Sequence, residues 1–206
     1  MSISPTLRAA ATARNIVGPV LRAAYPVQVW GAHHIPAHGP VLSVGDQPEL
    51  LAGALIKAAA PRPVQVIASE SVMQAVPDGV IRAVGDIVNP APGIGAAQEA
   101  LELLRDGGAV AALGASPAIG YLAAASGAPV CTVVVHGAAG RVVTDPPALR
   151  RRVEMRFGPV THLAIAGDPC AMSTIRETGE RIRQLLVDAQ DLARARHGGM
   201  DEELRQ

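Results

Sequence analysis

Aromatic residues are almost missing from this 206-residue chain: Tyr25, Trp30, Tyr121 and Phe157 are the full set. So few rings leave no stacking surface for bases or sugars, and the core falls to Ala, Val, Leu and Ile. Cysteine is as sparse. Cys131 and Cys170 do not make a disulfide framework and neither stands in a metal-ligand spacing, so a reducing cytoplasm is the expected compartment. Net charge is absent too. Eighteen basic residues balance eighteen acidic ones, which excludes a nucleic-acid binder held by a bulk positive field. No apolar run reaches the roughly 18 residues that a membrane span needs. The N-terminus carries Arg8, Arg14 and Arg22 and lacks the continuous apolar stretch of a secretory signal. The expected chain is cytoplasmic, and at most peripheral to the inner face of the membrane.

What is present is apolar and globular in character. Apolar residues make up 49% of the chain and charged ones 17%, a balance that argues against disorder. A chain of this size buries roughly 70% of its unfolded surface and needs no staples. One lysine against seventeen arginines, with abundant Ala, Gly and Pro, matches the coding bias of a GC-rich bacterium.

Periodicity divides the chain into alternating elements. Residues 6–25 read as a helical segment that Pro19 breaks or kinks. Short strands are predicted at 27–31, 40–44, 64–69 and 109–114. The run 129–135, rich in β-branched residues, reads as a strand covered on both faces. Alternation over 151–158 reads as an edge strand. Helices are predicted at 48–60, 94–106, 118–126 and 173–196, with shorter ones near 70–76 and 78–84 and a fraying tail from Gly198. The expected fold class is α/β, with a mainly parallel central sheet flanked by helices and the 41–45, 109–114 and 129–135 strands near its centre. Three regions follow: a helical segment at 1–25, an α/β domain at 26–165, and a C-terminal helix and tail at 166–206 packing on the same domain.

The order of segments from Tyr25 to Pro159 resembles the glycerolipid acyltransferase family, typified by 1-acylglycerol-3-phosphate acyltransferase. The resemblance is carried by Gly31 with Ile35-Pro36 and Gly39-Pro40-Val41, by Pro63-Val64, and by Gly85 with Ile87-Val88. It continues through Ala100, Leu101, Leu104, Gly107, Gly108 and Val110, then Leu122, Ala123, Gly127, Pro129 and Val130, and ends on Arg156-Phe157-Gly158-Pro159. It implies the family's α/β fold and an acyl chain or lipid as ligand.

The family's reacting groups are replaced. Its H-x-x-x-x-D block, in which the histidine takes the acceptor proton and the aspartate orients the imidazole, falls on Asp46 and Leu51, with Gly45 at the preceding asparagine. A carboxylate near a pKa of ~3.9 is a poor base for an alcohol, and Asp46 reads better as a cap for the following helix. The family's F-P-E-G-T-R-S loop, which holds the acceptor phosphate, is excised: Gly114, Ala115 and Ser116 run straight into Pro117. The arginine expected after G-x-I-x-V is also missing, with Pro90, Ala91 and Pro92 in its place. The resemblance thus implies an acyltransferase-like protein without catalysis, binding a lipid, an acyl chain or a protein partner. Two rivals stand beside it: an active acyltransferase with a rearranged site around Asp46, Ser116 and His136, and a ligand-free scaffold or dimerisation module.

Strand ends gather ligands in open α/β sheets. That rule makes Asp46, Ser116 and His136 the catalytic candidates and Gly114, Ala115 and Ser116 the ligand-binding ones. The small side chains at 114–116 leave room for an apolar ligand. No cofactor is expected and no metal, since His33, His34 and His38 sit in one turn without converging spacing and read as solvated loop residues. The run Arg150-Arg151-Arg152 reads as a solvated face that anionic headgroups would attract at a peripheral membrane contact.

Overall fold

The computed structural model describes residues 24–45, 50–67, 87–88, 95–114, 117–138, 148 and 150–203. The N-terminal helical segment up to residue 23 and the short helices near 70–84 lie outside them, as do Asp46, Pro90, Ala91, Pro92, Ala115 and Ser116. Seven strands form one sheet: β1 (Val27–Trp30), β2 (Val41–Gly45), β3 (Gln65–Ile67), β4 (Ile87–Val88), β5 (Ala109–Leu113), β6 (Val130–His136) and β7 (Val153–Thr161). The helices are α1 (Leu50–Ala59), α2 (Gly95–Arg105), α3 (Pro117–Ser126) and α4 (Met172–Glu203).

The strand order is β1-β7-β6-β2-β5-β3-β4. The five strands from β6 to β4 run parallel, β7 is antiparallel to β6, and β1 is parallel to β7. The central strands are the apolar runs singled out above: every residue of β2 and β5 is buried, and β6 is buried up to Val135. This is the pattern of strands covered on both faces. One face packs Val41, Ala111, Val133, Met155 and Phe157 with Leu55 and Ile56 of α1. The other packs Leu42, Val44, Val110 and Val130 with Leu101 and Leu104 of α2, Leu122 of α3 and Ile182 of α4.

Local chemistry sets the element ends. α2 closes in a Schellman turn, with the Gly108 amide donating to Leu103 O at 2.8 Å and the Gly107 amide to Leu104 O at 3.0 Å. Gly107 stands there at φ 81°, where a Cβ would be strained. Pro117 opens α3 in the position where its missing N–H costs nothing.

Three expectations are corrected. The 151–158 strand is not an edge: β7 lies between β1 and β6, and β1 is the edge on that side of the sheet. Its polar residues do not all face water: Glu154 is buried between the exposed Arg152 and the mostly buried Arg156. The terminal helix does not fray at Gly198 but stays helical to Glu203. His34 is not a solvated loop residue: half-buried, it places Nδ1 2.8 Å from the Phe157 carbonyl oxygen, which can only accept, so Nδ1 is the donor. That bond, with Gly31 at φ 69° pressed against the same carbonyl, fastens the turn after β1 to β7.

Candidate functional site

The carboxyl ends of β2 and β5 lie side by side, with Gly45 registered on Leu113. The amide of Gly114 continues that ladder, donating to Gly45 O at 2.9 Å. At Gly114 the chain turns through φ 85°, and only Ala115 and Ser116 then separate it from α3. The connection from β5 to α3 is thus three residues long, Gly114 to Ser116. Leu51, at the position of the orienting aspartate, is half-buried and packs against the core on the α1 face of the sheet. An aliphatic side chain held there cannot orient a base.

His136 sits elsewhere. It ends β6 as the register partner of Glu154 on β7. Val44 pairs with Thr132, which puts Gly45 level with Val133, so His136 stands about 10 Å farther along the strand direction. Its surroundings are the polar end of β7. There Glu154 Oε1 lies 3.3 Å from Arg152 Nε, and Glu154 Oε2 lies 3.7 Å from an Arg156 nitrogen. Arg156 stacks over the exposed Trp30 ring at 5.3 Å. Among the described residues no three His, Cys, Asp or Glu side chains are grouped to hold a metal ion.

Gly114 opens instead onto a groove of about 590 Å³ between the start of α3 and the first half of α4. Its wall is apolar: Pro117 and Ile119 from α3, and Ile175, Ile182 and Leu186 from α4. Met172, an exposed apolar side chain, also lines it. Arg176, Glu180 and Arg183 add the charges. The volume falls in the usual range for small-molecule pockets, about 300–1,000 Å³.

Of the residues singled out from the sequence, Gly114 lines this groove; the α4 wall was not among them. A signal existed: Ile175, Gly179, Ile182 and Leu186 repeat at three-to-four spacing, and a glycine inside a helical pattern marks a close approach. The approach is there, since a Cβ on Gly120 of α3 would collide with the Ile175 carbonyl oxygen and lie 3.1 Å from the Gly179 nitrogen.

No family model matches the sequence, and no curated protein matches it at a significant level. No helix among the described residues is long and apolar enough to cross a membrane. A solved structure is similar: the 1-acyl-sn-glycerophosphate (LPA) acyltransferase PlsC from Thermotoga maritima, at 16% identity and a TM-score of 0.51, over 86% of this chain and 79% of that one. With the strand order and the ordered motifs already described, this chain shares the α/β fold of that glycerophosphate acyltransferase.

Proposed function

We propose that this chain is an acyltransferase-fold protein that binds an acyl chain and does not transfer it. The observation that carries the reading is the groove at Gly114. It opens where β5 passes almost directly into α3, and its walls are mainly aliphatic. Each methylene buried there contributes about 0.8 kcal/mol, so a long acyl chain is the ligand that uses such a wall best. The proposed loss of catalysis rests on the half-buried Leu51 packed against the core, on the short β5–α3 connection, and on Asp46 in place of a histidine. Any membrane contact is peripheral on this reading, with Arg150, Arg151 and Arg152 as the cations that meet anionic headgroups.

Two measurements test the proposal. A fluorescent long-chain fatty acid titrated into the protein should bind with saturation, and Val187→Trp, which places an indole in the groove from an exposed position, should weaken that binding at least tenfold. Thiol release from acyl-CoA in the presence of lysophosphatidic acid should stay at the blank rate. Release above the blank that disappears in Asp46→Ala would establish an active enzyme. Equal binding by wild type and Val187→Trp would place the ligand elsewhere.

A further inference from the structure

We infer that the groove takes the ionised form of a free fatty acid, with the carboxylate held by Arg176. The inference rests on the acyl-binding reading above and names the ligand's head group, which the apolar walls alone leave open.

Among the described residues three charged side chains line the groove, and two of them answer each other. Arg183 and Glu180, three residues apart on α4, form an ion pair. Arg176 makes no ion pair or hydrogen bond among the described residues, so it is the uncommitted cation of the lining. It lies one turn into α4, close to Met172, where the helix begins. The free amides of a first helical turn carry partial positive charge, so the helix start adds to the Arg176 charge at this end of the groove.

On α4 the lining runs from Met172 to Gln190, about 27 Å along the helix axis at 1.5 Å per residue, with Arg176 one turn from its start and Ile182, Leu186 and the Glu180–Arg183 pair beyond it. An unpaired cation near one end of a mainly aliphatic wall is the pattern that a linear amphiphile with one terminal anion fits. A guanidinium meets a carboxylate in a two-pronged hydrogen bond. A phosphate headgroup of higher charge would bring a second negative charge to a site that offers one unpaired cation among the described residues, with Glu180 beside it. The complementary ligand is therefore a monoanion.

Displacement of Nile red, an uncharged probe, by laurate and by methyl laurate tests the assignment. Laurate should displace the probe from wild type at a concentration at least tenfold below that of its ester. Arg176→Gln should remove that preference by weakening laurate about tenfold and leaving the ester unchanged, and Arg176→Lys should restore part of it. Equal displacement by acid and ester in wild type, or an unchanged acid preference in Arg176→Gln, would overturn the carboxylate assignment while leaving acyl binding in place. Failure of both compounds to displace the probe, or displacement untouched by Val187→Trp, would overturn the groove as the acyl site and this inference with it.

Discussion

Gly120 of α3 and Gly179 of α4 meet backbone to backbone, and the demand is not symmetric. A Cβ on Gly120 would strike the Ile175 carbonyl oxygen, whereas a Cβ on Gly179 would lie 3.9 Å from the Gly120 Cα, an ordinary contact. Both residues sit inside helices, where alanine is favoured over glycine by about 1 kcal/mol. Gly120→Ala should therefore lose about 2 kcal/mol, as overpacking forces the helices apart, while Gly179→Ala should be neutral or stabilise by up to about 1 kcal/mol. Urea midpoints of the two variants decide this, and equal midpoints would refute the crossing geometry. The pair also bears on the groove, because the same crossing sets the separation of its two walls.

At the amino ends of the parallel strands, Arg62 joins loops distant in sequence. Its guanidinium donates to Gly39 O at 2.6 Å, to Pro36 O at 3.3 Å and to Gly107 O at 2.7 Å. Burial pushes its pKa below the ordinary value, yet an arginine stays charged in proteins. Arg62→Ala should cost about 2 kcal/mol, since three carbonyls lose a charged donor. Arg62→Lys should recover less than half, because an ammonium cannot reproduce the planar fork. Thermal unfolding of both variants checks the order, and a lysine variant as stable as wild type would show that charge alone suffices.

How far the sequence revealed this architecture depended on whether a side chain's type reports its surroundings. Val41, Val44, Val110 and Val133 lie in strands covered on both faces, so burial is written directly into their composition. The short β5–α3 connection and Leu51 were equally readable, since both are matters of residue identity and spacing. Glu154 and Arg156 misled because charge implies exposure unless a partner is visible, and the partners lie across the sheet or two residues away. Arg176, Glu180 and Arg183 look like the solvated face of a terminal helix. Only their placement opposite Pro117 and Ile119 turns them into a groove lining, and nothing local encodes that juxtaposition. His34 was obscured in the same way, its hydrogen-bond acceptor being 123 residues away.

The Glu154 cluster yields a graded prediction. Glu154 is 2% exposed, and its partners differ, with Arg156 at 16% and Arg152 at 47%. Removing Glu154 leaves the mostly buried Arg156 without its counter-charge, a change that costs about 3 kcal/mol. Arg152→Ala should cost less than about 1 kcal/mol, because water and salt already screen that side chain. Denaturant titrations at low and high salt separate the two. A loss on Arg152→Ala as large as that on Glu154→Ala would mean that the carboxylate depends on its exposed partner.

The two thiols should behave as different reagents. Cys131 is buried in β6 with Sγ 3.2 Å from Gly158 O, and Cys170 is exposed. Burial raises the Cys131 pKa from 9.0 to about 12, and only a thiolate attacks an aromatic disulfide reagent at a useful rate. One equivalent of thiol should react promptly at pH 8, and the second only after denaturation. The same shift sets an alkaline slope. Below the unfolded value of 9.0 the thiol is neutral in both states and contributes no pH dependence. Between 9.0 and about 12 the unfolded chain has released this proton and the folded chain retains it, so stability falls by about 1.4 kcal/mol per pH unit. Cys131→Ala should be less stable at neutral pH from the volume it loses, and its stability should fall less steeply above pH 9.0. Urea unfolding of both proteins across that range makes the comparison, and parallel slopes would show that Cys131 is not the group responsible.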